Sequence, residues 1–179
     1  MTAPPVITGN LPLPRWAYVP GETVPGETYG ADADYEALAQ VKLLVPAAFR
    51  GYVPARHPAL RYGIMLNDRG YFWEAREILE AIWAAAPQGG RERILLRACI
   101  LISNGNLRLR MEKPGSAGRL FNEALQELHI LGQRKAVGSG DGFADGFPID
   151  VLATLLKARI AKRGLTKADW LRLTLVERT

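Results

Sequence analysis

The sequence has few of the residues that build metal sites and disulfides. It contains one cysteine, Cys99, and two histidines, His57 and His129. A lone cysteine cannot form an internal disulfide, and within an apolar run it indicates a small buried hydrophobic residue rather than a reactive thiol. The two histidines lie in separate segments without HxxxH or CxxC spacing, so the sequence predicts no metal site.

Motifs for nucleotide and nucleophile chemistry are also missing. No phosphate loop of the GxxxxGK[ST] kind is present, and the glycine-rich stretch 138–142 neither follows a predicted strand nor fits a dinucleotide fingerprint. No nucleophile elbow occurs. Asp141 and Asp145 do not have the spacing of an EF-hand loop. The sequence therefore predicts no cofactor.

No apolar run approaches the roughly 20 residues that a membrane-spanning helix needs. The N-terminal residues lack the basic and apolar regions of a secretory signal. Hydrophobic residues make up 48% of the chain, which is ordinary for a globular protein. We therefore expect a cytoplasmic protein with no membrane partner.

The positive charge is concentrated at the C-terminal end. Residues 151–179 contain seven lysines and arginines against two acidic residues, which accounts for the whole net charge of +5. The simpler interpretation is a solvated helix face, and the alternative is weak binding of polyanions such as nucleic acid. The candidate residues for that alternative are Lys157, Arg159, Lys162 and Arg163.

Proline and glycine divide the chain into four segments. Residues 1–33 hold half of the twelve prolines and predict an extended arm. Residues 34–131 predict a compact helical bundle, residues 132–147 a glycine-rich loop, and residues 148–179 a basic helical segment. No strand pattern is convincing, so the predicted fold is all-α. Trp16 and Tyr18 are expected to hold the arm against the bundle.

The segment Tyr71–Trp83 has the spacing of an amphipathic helix. A helical wheel places Arg76 and Glu80 at the edge of its apolar face, beside Trp83. Glu77 lies one step further out, and Glu74 points to the opposite side. Glu80 is therefore expected to be half buried and to need a partner, whereas Glu74 is expected to be solvated.

The following helix, residues 93–111, is apolar in almost every direction, which indicates a central position in the bundle. Its polar exceptions form a narrow stripe: Arg93, Arg97, Asn104 and Arg108. We expect Arg97, together with Arg76, to pair with Glu80 and Glu77. Gly105, in the middle of this helix, is expected at a close helix contact.

These segments resemble the bacterial and archaeal family called domain of unknown function 309, whose members read roughly G-x-[YF]-[YF]-x-A-H-E-x-L-E-x-x-W. The resemblance extends over about residues 14–131 and implies a compact all-helical bundle. The residues that fit the motif are Gly70, Phe72, Ala75, Glu77, Leu79, Glu80 and Trp83.

The chain departs from the family at the positions with polar chemistry. Arg76 stands where the family usually has histidine, and Arg97 and Leu101 stand where it has glutamines. Arginine remains charged and does not act as a general base. The departures favour a compensated ion-pair network over an acid–base site.

Three functions remain open from the sequence. The first is a non-catalytic binding or scaffold protein, acting through its surface or with a second copy of the chain. The second is an enzyme or binder of a small carboxylate or phosphate. The third is sequence-independent nucleic-acid binding through the basic segment. The candidate ligand-binding residues are Arg76, Glu77, Glu80, Trp83, Arg97 and Asn104.

Overall fold

The computed structural model describes residues 11–22, 33–134 and 140–174, and these residues form an all-α fold. The remaining parts of the predicted arm (1–10 and 23–32), glycine-rich loop (135–139) and C-terminal segment (175–179) lie outside the described residues. The six helices are α1 Tyr35–Lys42, α2 Pro58–Asp68, α3 Phe72–Ala85, α4 Arg91–Arg110, α5 Pro114–Gly132 and α6 Ile149–Ala161. Within the described ranges there is no strand, and one isolated antiparallel bridge joins Pro54 to Gly142. The predicted fold class is confirmed.

Local signals explain where the helices begin and end. The Nδ1 atom of His57 accepts a hydrogen bond from the N–H of Ala59 at 3.2 Å, which caps α2 just before its first residue, Pro58. Helix α4 ends in a Schellman motif, in which the N–H of Lys113 bonds to the carbonyl of Arg108 at 2.8 Å. Glu112 occupies the left-handed position of that motif with φ 61°.

Helix α4 lies at the centre of the bundle, as predicted. It packs against both α3 and α5, while α2 packs on α3 and α6 on α5. Gly105 permits the contact with α5, because a Cβ atom at this position would lie 2.5 Å from the ring of Phe121. The central helix therefore requires a residue without a side chain here, as its sequence indicated.

The described part of the arm packs along the bundle. The ring of Tyr18 meets the ring of Trp73 edge-on with centroids 5.3 Å apart, and the main-chain N–H of Tyr18 donates to Glu74 at 2.9 Å. The hydroxyl of Tyr62 donates to the carbonyl of Pro12 at 2.6 Å. The prediction that Glu74 is solvated is therefore wrong. The helical wheel correctly placed Glu74 on the side of α3 that points away from the main core. The N-terminal arm covers that side, so Glu74 is buried.

The C-terminal segment is helical only in part. After α6, the side chain of Thr166 caps a single 3₁₀ turn, Lys167–Asp169, and forms a capping box with Asp169. The chain then leaves the helical conformation, and Leu171 and Leu173 are buried in the core. None of the described helices has the length and apolar character needed to cross a membrane.

Candidate functional site

A chain of ion pairs covers the outer face of α3. Glu77 pairs with Lys42 of α1 at 3.0 Å and with Arg76 at 3.8 Å, and Arg76 also approaches Glu80 at 4.0 Å. The side chain of Arg76 is 28% exposed and that of Glu80 is 48% exposed. The contact between Arg76 and Glu80 agrees with the predicted pairing, although Glu80 is more exposed than its predicted half-buried position implies.

The expected pairing of Arg97 with Glu80 is wrong. The Nε atom of Arg97 instead donates to Glu127 of α5 at 3.1 Å. Trp83 is covered by Arg93, whose guanidinium lies 4.0 Å from the ring centroid. A helical wheel gives the direction of a side chain on its own helix, but not which neighbouring helix it meets. Arg97 lies on the side of α4 that faces α5, so it does not pair with the carboxylates of α3.

Asn104 makes no contact that joins it to the other candidate residues. Its Oδ1 atom is buried without a hydrogen-bond partner among the described residues, and so is the Nε atom of Arg108 one turn later. The predicted ligand-binding set is thus divided. Arg76, Glu77 and Glu80 share one ion-pair chain, whereas Arg97 and Trp83 have other partners.

The basic residues of the C-terminal segment are partly engaged within the protein. Lys162 pairs with Asp169 at 2.6 Å, and the Nε atom of Arg159 donates to the carbonyl of Asp169 at 2.8 Å. The hydrogen bond from Lys162 is the main cause that lowers the pKa of Asp169 to about 2. Lys157 and Arg163 are exposed. Two of the four candidate cations therefore stabilise the turn that precedes residues 170–174, which we call the C-terminal tail.

Glu74 is a buried carboxyl group that the sequence did not single out. Burial raises its pKa to about 7, and this effect outweighs the hydrogen bond from the N–H of Tyr18. Cys99 is also buried, and burial raises the pKa of its thiol to about 12. The thiol is thus held in its protonated form at neutral pH, as the sequence indicated.

A second polar cluster lies inside the bundle, between the end of α2 and the middle of α4. We call it the polar clamp, and it consists of Asn67, Asp68, Ser103 and Asn106. Asn67, Ser103 and Asn106 are fully buried. The Oδ1 atom of Asn67 accepts from the hydroxyl of Ser103 at 3.0 Å and from the Nδ2 atom of Asn106 at 2.9 Å. These bonds fix the orientation of both amide groups.

The remaining polar atoms of the clamp form hydrogen bonds with the main chain of the C-terminal tail. The side chain of Asn106 accepts from the N–H of Leu171 and donates to its carbonyl, both at 2.8 Å. Asn67 donates to the same carbonyl at 3.1 Å. Asp68 accepts from the N–H groups of Leu173 at 2.6 Å and Thr174 at 2.9 Å. The clamp thus binds consecutive peptide groups rather than side chains.

Sequence reasoning missed the polar clamp for a specific reason. The polar stripe on α4 drew attention to Asn104, while neither Ser103 nor Asn106 was among the candidate site residues. The signal that could have found the clamp is an asparagine in an apolar direction of a central helix, because a buried amide needs a partner for each of its polar atoms. The partners of Asn106 lie 39 and 65 positions away along the chain, beyond the reach of helical periodicity.

The described residues also limit other kinds of site. No three His, Cys, Asp or Glu side chains among them lie close enough together to hold a metal ion. A cleft of about 560 Å³ lies between the end of α4 and the segment 165–168. It is lined by Leu109, Glu112, Pro114, Leu165, Thr166, Lys167 and Ala168, so none of the predicted site residues faces it.

Comparison with known proteins gives one match. Residues 60–120 match the model of a family described as domain of unknown function (DUF309). This segment is shorter than the resemblance read from the motif, but it contains α3, α4, the three α3 residues of the ion-pair chain and all four residues of the polar clamp. No curated protein and no solved structure matches the chain. Residues 60–120 are thus similar to the DUF309 family, in agreement with the resemblance of the α3 motif.

Proposed function

We propose that this protein is a non-catalytic helical binding or scaffold protein, in which ion pairs fill the polar face of α3. The observation that supports this function best is the position of Glu77, which receives both Lys42 and Arg76. The charges on this face are therefore compensated among themselves. Arg76, at the position where the family usually has histidine, cannot give or take a proton as histidine would.

The alternative, recognition of a small anionic ligand through Arg76, Arg97 and Glu80, has less support. A bidentate anion site needs its cations directed toward one point. Arg97 is directed to Glu127 of α5, while Arg76 faces Glu77 and Glu80. The Nε atom of Arg76, which is buried without a hydrogen-bond partner among the described residues, is the feature that favours this alternative.

Nucleic-acid binding through the basic segment also has less support than the sequence gave it. Asp169 engages Lys162 through its carboxylate and Arg159 through its carbonyl. Of the four candidate residues, this leaves Lys157 and Arg163, which are both exposed. Any such binding would be independent of sequence and sensitive to salt, since phosphate contacts carry no base information.

Thermal unfolding in the presence of inorganic phosphate and citrate, at constant ionic strength, tests the proposed function. We expect no saturable rise in Tm for the wild type, and the same response from Arg76→Gln. Arg61→Gln is the matched control, since Arg61 is an exposed arginine on α2. A saturable rise that Arg76→Gln abolishes and Arg61→Gln retains would support the anion-binding alternative instead.

A further inference from the structure

The polar clamp binds the tail through its main chain. Among the described residues, every hydrogen bond between the clamp and the tail involves a peptide N–H or carbonyl group of residues 171–174. Main-chain contacts of this kind are shared by any extended polypeptide. Specificity for sequence then comes from the side chains that point into the core.

Those side chains define a simple pattern. Leu171 and Leu173 are 2% and 1% exposed, while Arg172 and Thr174 between and after them are exposed. Trp170, just before them, packs on Phe72 with ring centroids 5.5 Å apart. The alternation is that of an extended segment with one face buried. The occupant therefore has the pattern aromatic–leucine–x–leucine.

The clamp and its occupant come from different parts of the chain. All four clamp residues lie within the matched segment 60–120, whereas the occupant lies outside it. Without an occupant, the Oδ1 atom of Asn106 and both carboxylate oxygens of Asp68 would lose the peptide groups that they accept from. The cost is greatest at Asn106, which is fully buried, because a buried polar atom without a partner is unfavourable. The clamp therefore favours an extended chain as its occupant.

The connection between α6 and the tail allows that chain to leave. Residues 161–164 and 166–168 are exposed, and Gly164 has φ 70°, a conformation suited to glycine. Asp169 joins the connection to the end of α6 through its contacts with Lys162 and Arg159. The tail can therefore be released without unwinding a helix of the bundle.

We infer that the polar clamp, formed by Asn67, Asp68, Ser103 and Asn106, is a binding site for an extended polypeptide segment of the pattern aromatic–leucine–x–leucine, and that residues 170–174 are an intramolecular occupant which a partner segment displaces. This inference rests on the proposed function of a binding protein and names its class of partner. A tethered occupant competes at an effective concentration on the order of millimolar, so it suppresses partner binding in the intact chain.

The test uses the full chain and a fluorescent peptide with the sequence of residues 167–174, KADWLRLT. Fluorescence anisotropy gives the Kd for the wild type and for Leu173→Asp, which weakens the intramolecular occupant. We expect the variant to bind the peptide at least tenfold more tightly than the wild type. A peptide with aspartate at both leucine positions is the control and should not bind. If Leu173→Asp does not fold, Leu173→Ala answers the same question without adding a charge to the core.

A second substitution in the Leu173 variant locates the binding. Asn106→Ala should abolish binding of the peptide, whereas Asn104→Ala, two positions away on the same helix, should leave it unchanged. Failure of a folded Leu173 variant to bind the peptide, or equal loss from both asparagine variants, would overturn the inference. Neither result bears on the ion-pair face of α3, which the anion titration tests separately.

Discussion

Asn106 holds the main chain of Leu171 on both of its polar sides. Its Oδ1 atom accepts from the N–H and its Nδ2 atom donates to the carbonyl, with both bonds at 2.8 Å. The two residues are 65 positions apart and both are buried. A side-chain amide thus pairs with the main-chain N–H and carbonyl of one residue, as a neighbouring antiparallel β-strand would. It does so in a fold whose described residues form no strand.

Replacing Asn106 with alanine should destabilise the protein strongly. The change removes one hydrogen-bond partner from the Oδ1 atom of Asn67, and one each from the main-chain N–H and carbonyl of Leu171. Loss of such a buried network is expected to lower the free energy of unfolding by about 2–4 kcal/mol. Urea unfolding measures the loss. Asn104→Ala is the matched control and should cost less than ~1 kcal/mol, because its Oδ1 atom has no hydrogen-bond partner among the described residues. Equal losses would mean that the amide of Asn106 has no special role.

Glu74 should make stability depend on pH. Its pKa is raised from 4.5 to about 7 in the folded protein by burial, so folding takes up a proton between these values. The contribution to stability is therefore full below about pH 4.5 and is lost as the pH rises through 7. Glu74→Gln removes the ionisable group but keeps an acceptor for the N–H of Tyr18, so it should stabilise the protein at pH 8, by roughly 1–3 kcal/mol.

Urea unfolding at pH 5 and pH 8 measures this effect for the wild type, Glu74→Gln and Glu80→Gln. Glu80 is the control, since it is a half-exposed glutamate on the same helix. The Glu74 variant should show the smaller difference between the two pH values. A wild type that is more stable at pH 8 than the Glu74 variant would contradict the assigned cause.

Arg97→Ala should have little effect on stability. The side chain of Arg97 is 52% exposed and its partner is Glu127, and exposed pairs of this kind contribute less than ~1 kcal/mol. In a double-mutant cycle measured by chemical unfolding, Arg97→Ala and Glu80→Gln should be additive. A coupling energy between the two substitutions would support the pairing of Arg97 with Glu80 that the sequence predicted. It would contradict the contact of Arg97 with Glu127 of α5.

Glu112→Gly should stabilise the protein. Glu112 has φ 61° at the end of α4, a conformation that glycine adopts without the steric cost of a Cβ atom. Its contact with Lys167 is long, at 3.7 Å, and the side chain is 78% exposed, so little is lost. We expect a gain of about 0.5–1 kcal/mol, seen as a higher Tm. A lower Tm would show that the side chain of Glu112 has a stabilising contact.

The sequence was informative about features that depend on neighbours along the chain. Helix α2 begins at Pro58 and α5 at Pro114, because proline fixes a helical φ and needs no donor at a helix start. Helix α4 is apolar in almost every direction, and this pattern predicted its central position. Gly105, which has no side chain, predicted a close helix contact. The capping box of Thr166 and Asp169 likewise depends only on residues three positions apart.

Features that depend on which elements meet in space could not be predicted in the same way. The wheel placed Glu74 outside the core, but only the fold shows that the arm returns to cover it. Similarly, Arg97 was assigned to α3 because two stripes of opposite charge were expected to face each other, whereas it faces α5. The polar clamp joins α2, α4 and the tail across as many as 106 positions, and no local pattern carries that information.

Amide hydrogen exchange in the full chain tests most directly whether the polar clamp binds the extended tail. The N–H groups of Leu171, Leu173 and Thr174 should exchange on the order of a hundredfold more slowly than in an unstructured peptide, since each donates to the clamp. Asn106→Ala should remove the protection of Leu171, and Asn104→Ala should not. Exchange of these three groups in the wild type at the rate of an unstructured peptide would contradict the account.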